Sequence, residues 1–400
     1  IEASNVQAAL VLYELAPAPP HTTPPEWLCQ GLAGGQTASF SYALSMRVGM
    51  VVFANKWTGA GAVAALGCSA LDSAGFGTHL LFVGGRNLER RLDGHPWATP
   101  GLAKERRPAH FRSNVRAVAS LANACDIVIC HLPHDHLLCV AAGIYRRVSL
   151  IRSFRNPSHI RRDPYHRFLA RRLMAALCAN TALERELRRS SPHLPTTVMP
   201  VPLEDRFRLI KDSDLRDRLE APAGTPIIGA VGKLAKGRGF GLLLDTAARL
   251  EAPAHVVVVG HGELQSQLEK RAHDLGIQGR VHWTGYQDEA LPELYSLMDV
   301  VLFTKPGSDW GHRAISEAQG CGRPVVAASY PGVEDLIEDG VSGRIVDSNP
   351  AALADAADSL INDTEGARQL GLAAADATAE RRFAPLGQRS AFFLDKILAE

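Results

Sequence analysis

Residues 309–326 read DWGHRAISEAQGCGRPVV. The segment opens as an acidic loop, becomes a helix start, passes a glycine-containing turn and ends in an apolar strand. Asp309 falls in the Gly/Ser/Pro-rich run PGSDWGH, which favours a loop. Glu317, eight positions further on, lies in the first turns of the following helix. Two carboxylates at a helix N-terminus suit a ligand that carries hydroxyls beside a phosphate. The carboxylates accept from the hydroxyls, and unpaired backbone N–H groups face the anion. A sugar attached to a nucleotide has that profile.

Working outward, the same alternation continues on both sides. Strands are expected at Ile227–Val231, Val256–Val259, Arg280–Thr284, Val300–Thr304 and Val325–Ala328. Helices are expected at Leu242–Leu250, Leu264–Leu275, Leu291–Met298, Ile315–Gly320 and Ala351–Ile361. An earlier series starts at Met46, with strands at Val48–Phe53, His79–Val83, Asp126–Cys130, Ser149–Ser153, Ala176–Ala179 and Thr197–Val201. Continuous apolar strands separated by helices imply parallel sheets covered on both faces. The fold class is therefore α/β, with two Rossmann-like domains facing a cleft at the carboxyl ends of their strands. The Pro-rich, then charged stretch Pro200–Pro226 reads as the domain connection. The expected organisation is an extension over 1–45, a first domain over 46–205, a second over 206–383, and a C-terminal helix over 384–400 that crosses back to the first domain. The extension, with PAPPHTTPPEW and GLAGGQTASF, shows no clear period, and a chain starting at Met46 is expected to fold and act normally.

Bulk composition narrows the class. A chain of 400 residues, 46% hydrophobic and 21% charged, is long for one core and ordinary for a globular protein. The net charge of +1 argues neither for nor against a polyanionic partner, and no nucleic-acid partner is expected. Seven scattered cysteines without a CxxC pair favour reduced thiols over a disulfide framework or zinc site, and so a cytoplasmic setting. No apolar run is long enough to cross a bilayer. Charge is uneven, however: Arg146–Arg172 holds nine arginines and one acid, Asp163. That stretch is either a solvated face or a basic surface for an anionic acceptor or membrane, peripheral at the inner face.

Several segments, in order, resemble the donor half of the retaining glycosyltransferases of family 4, which have the two-domain GT-B fold. They are AVGKLAKGRGFGLLLDTAARL (230–250), VVVVGHGELQSQL (256–268), RVHWTGYQ (280–287), LPELYSLMDVVL (291–302) and EAQGCGRPVVAASYPGVEDLIEDGVSGRIV (317–346). The resemblance covers nearly all of residues 226–361 and is specific because the segments occur together. In the first half, MRVGMVVFANKWTGAG (46–61) and VMPVPLEDRF (198–207) are similar only faintly, as expected where acceptors vary.

The resemblance implies a retaining transfer from a nucleotide-diphosphate sugar to an acceptor hydroxyl, with no cofactor and no metal. It implies that Lys233 and Arg238 bind the donor diphosphate, beside Gly232 and Gly239; the family order is Arg then Lys, here reversed. Glu317 stands at the ribose-binding acid, and Asp309 at the sugar-contacting acid, which is often Glu. Gly311, His312 and Arg313 bring backbone to the donor; Arg313 either adds a third cation or pairs with Asp309. Gly262 belongs to the Gly-x-Gly turn, and Gly285 and Tyr286, with Val281, shape a base pocket. In the first domain Gly59 and Gly61 form the opening Gly-rich loop, and His131 lines the cleft. Arg155, in LIRSFRNP, stands where the family often has a histidine. An arginine cannot serve as a base, but it could hold an acceptor anion or the diphosphate. The run HLPHDH (131–136) reads as a loop after a strand, without a partner cluster for a metal.

Three readings stay open: an active transferase working in envelope or exopolysaccharide assembly on a glycan or lipid-linked acceptor, a degenerate nucleotide-binding scaffold subunit, and a sugar-nucleotide epimerase. A nicotinamide dehydrogenase is disfavoured, since NKWTGAGAV does not supply GxGxxG.

Overall fold

The computed structural model describes residues 46–57, 59–104, 108–211, 214–307 and 309–399. The expectation for residues 1–45 lies outside them.

The first lobe runs β1 (Arg47–Val52), α1 (Ala60–Ser73), β2 (Gly77–Val83), α2 (Asn87–Leu92), β3 (Ala98–Leu102), α3 (Pro108–Asn123), β4 (Ile127–Cys130), α4 (Pro133–Ala141), β5 (Ser149–Phe154), α5 (Pro164–Ala170), β6 (Ala175–Cys178), α6 (Thr181–Ser190) and β7 (Thr196–Val198). The second runs α7 (Leu215–Arg218), β8 (Ile227–Val231), α8 (Phe240–Ala247), β9 (His255–Val259), α9 (Gln265–Asp274), β10 (Val281–Gly285), α10 (Leu291–Leu297), β11 (Val300–Phe303), α11 (Arg313–Gly320), β12 (Val325–Ala328), β13 (Arg344–Val346), α12 (Pro350–Asn362) and α13 (Thr364–Asp376). A final helix, α14 (Phe383–Ala399), closes the chain.

The sheets are ordered β3-β2-β1-β4-β5-β6-β7 and β10-β9-β8-β11-β12-β13, and their paired strands are parallel. Strand order reverses between β1 and β4 in the first sheet and between β8 and β11 in the second. The crevices beyond those strand ends are where ligands enter such sheets.

The period of two along each strand sorts the second core into two layers. Ile228, Ala230, Val256, Val258, Val300, Leu302, Val326 and Ala328 pack with α8, α9 and α12. Ile227, Val257, Val259, Val301, Val325 and Ala327 pack with α10 and α11 on the opposite face. Each of the valine, leucine and isoleucine side chains among them contributes roughly 1.5–3 kcal/mol on burial, so both faces demand cover. This is why the strands read as unbroken apolar runs. In the first lobe, Val118, Leu138, Leu183 and Leu187 place α3, α4 and α6 on one face. The C-terminal helix α14 packs on α1, close enough that a Cβ at Gly387 would run into the Ala70 carbonyl oxygen.

The segment expected as a bare domain connection is structured. Leu203, Phe207, Leu215 and Ala221 join the second core, and Leu203 N–H donates to the Arg381 carbonyl at 2.7 Å. The apolar spacing of those four residues explains the anchoring. The edge strand β3 escapes a pattern search because ATPGL carries a proline and exposes its middle three residues.

Candidate functional site

The loops after β8, β9 and β10 are zipped together by backbone. Gly232 N–H donates to Val259 O at 2.9 Å, Leu264 N–H to Leu234 O at 3.0 Å, and Gly260 N–H to Gly285 O at 2.8 Å. A Cβ at Gly262 would run into the Leu234 carbonyl, so the spacing of these loops needs glycine there. The result brings Lys233 to the Glu263 carboxylate. Lys233 Nζ lies 3.4 Å from Glu263, and Lys233 and Arg238 help hold the Glu263 carboxyl below its usual range, after the pull of a backbone amide. Gly239 begins α8. Arg238 also lines a small cavity with Thr304, Lys305, Ala314 and Ile315, and so faces the first turn of α11. Lys305, exposed, is a third cation there that the sequence reading missed, although it lies two residues beyond an apolar strand. Tyr286, beyond the end of β10, is 54% exposed.

Helix α11 starts at His312, which adopts a left-handed conformation (φ 46°, ψ 43°) rare for a residue with a side chain. The surroundings hold it there. Its imidazole is buried and its Nε2 meets the Pro331 carbonyl at 3.1 Å. Burial also keeps the ring's pKa below the ordinary histidine value. The turn leaves the first amides of α11 without intrahelical partners.

Glu317 sits one turn in, 5% exposed. Tyr295 Oη donates to one carboxylate oxygen at 3.0 Å and Arg313 Nε to the other at 2.9 Å. Burial raises the Glu317 pKa, while Arg313 and Tyr295 oppose the rise. Arg313, for which two roles were open, therefore pairs with Glu317 and not with Asp309. An i,i+4 spacing on one helix face makes that pairing the short route. Tyr295, from α10, holds one Glu317 oxygen and lay in a segment read as a helix and for its family likeness, not as part of the site.

Asp309 is engaged from the other lobe. Arg155, at the end of β5, donates from Nε to Asp309 Oδ1 at 2.8 Å, with side chains 7% and 15% exposed. Gly311 N–H donates to the same oxygen at 2.9 Å, and Trp310 N–H donates to the Arg155 carbonyl at 2.8 Å. A Cβ at Gly311 would strike the Arg155 guanidinium, so this glycine admits the neighbouring lobe. Asn180 Nδ2 adds a bond to the Trp310 carbonyl at 2.8 Å, and Asp335 accepts from the Thr181 backbone and hydroxyl at 2.6 and 2.7 Å. The carboxylate expected to be free for a sugar is thus part of an interlobe contact.

His131, just past β4, is buried beside Arg155 and lines with it an apolar cavity walled by Met50, Val63, Met199 and Leu386. Neither of its ring nitrogens has a partner, and burial followed by the Arg155 charge lowers its pKa to about 3. Gly59 and Gly61 stand at the start of α1 and do not line this cavity. Of the stretch 131–136, residues 133–136 form the first turn of α4 and only His131 and Leu132 precede it: Asp135 accepts from the amides of Phe53 (2.8 Å), Leu132 (2.7 Å) and His131 (3.3 Å). Proline at the first helical position and an acid in that turn are helix-start signals that outweigh the loop reading. A second interlobe ring joins Arg91 of α2, Glu204, Arg206 and Asp288. Arg91 lies 2.7 Å from Glu204, Arg206 lies 2.9 Å from both acids, and Arg91 also meets Asp288.

Residues 211–376 match the family described as glycosyl transferases group 1. Over that segment the chain is similar to the group 1 glycosyltransferases. The curated relatives agree. A lipopolysaccharide core biosynthesis glycosyltransferase, LpsE of Rhizobium meliloti, is 31% identical over 176 residues, 44% of this chain and 47% of the relative. A D-inositol 3-phosphate glycosyltransferase of Xylanimonas cellulosilytica is 33% identical over 197 residues, 48% of this chain and 45% of the relative. The chain thus spans about half the length of these curated relatives. Solved structures extend the likeness in fold to both lobes. HepE of Anabaena in complex with UDP-glucose superposes with a TM-score of 0.76 at 19% identity, over 88% of this chain and 100% of that one. A sucrose-phosphate synthase of Thermosynechococcus elongatus gives 0.72 at 18% identity, over 88% and 99%. The architecture is GT-B, and the group 1 segment forms most of its second lobe.

Proposed function

We propose that this protein is a retaining glycosyltransferase that moves a sugar from a nucleotide-diphosphate donor to an acceptor hydroxyl without a divalent cation. The reading is carried by one observation: Arg238 and Lys305 stand opposite the first turn of α11, with Lys233 on the adjoining loop at Glu263. Three cations and a helix N-terminus offset a diphosphate's charge, which grows as the sugar departs. Glu317, held by Tyr295 and Arg313, presents a fixed acceptor for ribose hydroxyls. In the reaction the bond from the anomeric carbon to the β-phosphate oxygen breaks with its electron pair leaving on the diphosphate. The acceptor oxygen bonds to the same face of that carbon, and the acceptor proton passes to the departing phosphate.

The exposed Tyr286 borders the region for a base. By analogy with the lipopolysaccharide-core relative, the acceptor is a glycan carried on a lipid during envelope assembly, with the enzyme peripheral at the inner face of the membrane.

The Arg155–Asp309 pair favours a second reading. A scaffold subunit that retained nucleotide binding without transfer could spend this carboxylate on lobe closure. Transfer assays with a panel of sugar nucleotides separate the two. The transferase reading expects turnover in chelator, with the anomeric configuration kept, and a loss of orders of magnitude in Glu317→Ala and Lys233→Ala. Folded protein that binds none of the donors would end it; binding without turnover would select the scaffold.

A further inference from the structure

The arginine-rich stretch splits in the fold. Arg152 and Arg155 are buried in and just beyond β5, leaving Arg146, Arg147, Arg161, Arg162, Arg167, Arg171 and Arg172 at or near the surface. Among the described residues, only Arg162 of these seven makes an ion pair, with Glu186 at 2.9 Å. The single acid in the stretch, Asp163, is taken up by His166, whose Nδ1 lies 2.7 Å away. The face is therefore strongly cationic, and its positive charge is largely uncompensated.

It also carries aromatic side chains where a solvated face would not. Tyr165 and Phe168, three apart on α5, share one side of that helix and are 49% and 50% exposed. Arg172 stacks its guanidinium 3.4 Å from the Phe168 ring centre and reaches the Tyr145 ring at 5.2 Å. Arg146 lies over Tyr145 at 5.4 Å. Paired rings and arginines form an amphipathic ledge: rings that enter the acyl boundary and guanidinium groups that stay among headgroup phosphates. A polyanion such as RNA would use the charge but gain little from an exposed Phe168 already covered on one side by Arg172.

We propose that this face, centred on Tyr165 and Phe168, docks on an anionic phospholipid bilayer. The proposal rests on the reading of a lipid-carried acceptor, and it names the surface that would present one. The chain leaves the cleft at Arg155, passes Asn156–Ile160 and reaches α5 within ten residues. A docked α5 thus sets the end of β5, and the lobe-to-lobe contact at Asp309, close above the headgroups.

The test is sedimentation of the full chain with phosphatidylcholine vesicles, with and without about one-third phosphatidylglycerol. Binding is expected only to the anionic vesicles and is expected to fall as salt rises. Arg161→Gln with Arg171→Gln should weaken it about 30-fold, from roughly fivefold per basic residue. Phe168→Ser should weaken binding at high salt more than at low salt. Equal binding to neutral vesicles, no binding to anionic ones, or an unchanged double variant would each overturn the proposal. Tight binding to single-stranded RNA without vesicle binding would reassign the face as a polyanion site. Melting shifts with nucleoside diphosphates and transfer to a soluble acceptor, measured on the same double variant, report on the catalytic reading separately. No vesicle binding by the unsubstituted full chain with transfer intact refutes only the docking surface, and its vesicle binding without transfer refutes only the enzyme.

Discussion

Arg155→Met removes the cation from a pair that is almost dry. Asp309 would keep one partner, the Gly311 amide at 2.9 Å, and lose the guanidinium at 2.8 Å. A carboxylate left unpaired at this depth costs about 3–5 kcal/mol in comparable sites. The remaining amide bond and 15% exposure of Asp309 place this case at the low end, about 3 kcal/mol. Asp309→Asn leaves the arginine charged without its partner and should cost about 2 kcal/mol. Replacing both together removes the orphaned charge, so the double variant should lose about 2 kcal/mol less than the sum of the single losses. Urea unfolding at neutral pH, followed by tryptophan fluorescence, measures all three. Trp310, whose amide donates to Arg155 O, reports locally on lobe contact. Additive single losses, or a loss below about 1 kcal/mol in Arg155→Met, would refute the argument that this pair is a desolvated interlobe link.

Other outcomes follow from the same geometry. Glu317→Ala leaves the buried Tyr295 hydroxyl without its acceptor and should cost about 3 kcal/mol, whereas Glu317→Gln should recover at least half; equal losses in the melting curves would reject the hydrogen-bond account. Lys233→Ala and Arg238→Ala should each weaken nucleoside diphosphate binding by about 10–100-fold in calorimetry, with little change in melting temperature without ligand. Gly262→Ala should destabilise by about 1–3 kcal/mol, because the Leu234 carbonyl must yield; an unchanged urea midpoint would argue that the loops are loosely joined. His131, with a pKa lowered to about 3, is neutral in the native state but takes a proton in the unfolded chain near its ordinary 6.5. Its contribution is therefore full above pH 6.5 and falls as pH drops toward 3, by up to about 1.4 kcal/mol per unit. His131→Gln should flatten that slope in pH-dependent unfolding.

The second lobe was the more legible half. Its strands are buried on both faces, so Ile227–Val231 and Val256–Val259 stand out as apolar runs, and its glycines fall where loops touch. The acids Asp309 and Glu317 came from residue types along one short segment, whereas Lys233 and Arg238 came from the family resemblance. What stayed hidden was pairing across distance. Nothing local in LIRSFRNP says that Arg155 will meet Asp309, 154 residues away, and nothing in HLPHDH separates a helix start from a ligand loop until Asp135 is seen to collect three amides. The edge strands β7 and β10 were expected, but β3 and β13 and the amphipathic helix Pro108–Asn123 were missed because their apolar positions are sparse. The arginine-rich run was seen as one block. Burial of Arg152 and Arg155 divides it between the interior and the surface, a distinction that composition does not carry.

The return of α14 to the first lobe means the chain passes the lobe boundary twice, and the two passages are stitched side by side at Leu203 and Arg381. Paired crossings restrict lobe motion to swinging about a narrow pivot and resist twisting, as a double strap does compared with a single tether. They also make each lobe incomplete as a continuous piece. A protein cut after residue 205 would leave α1 without the helix that covers it, and should be sticky and poorly folded unless 383–399 is supplied in trans.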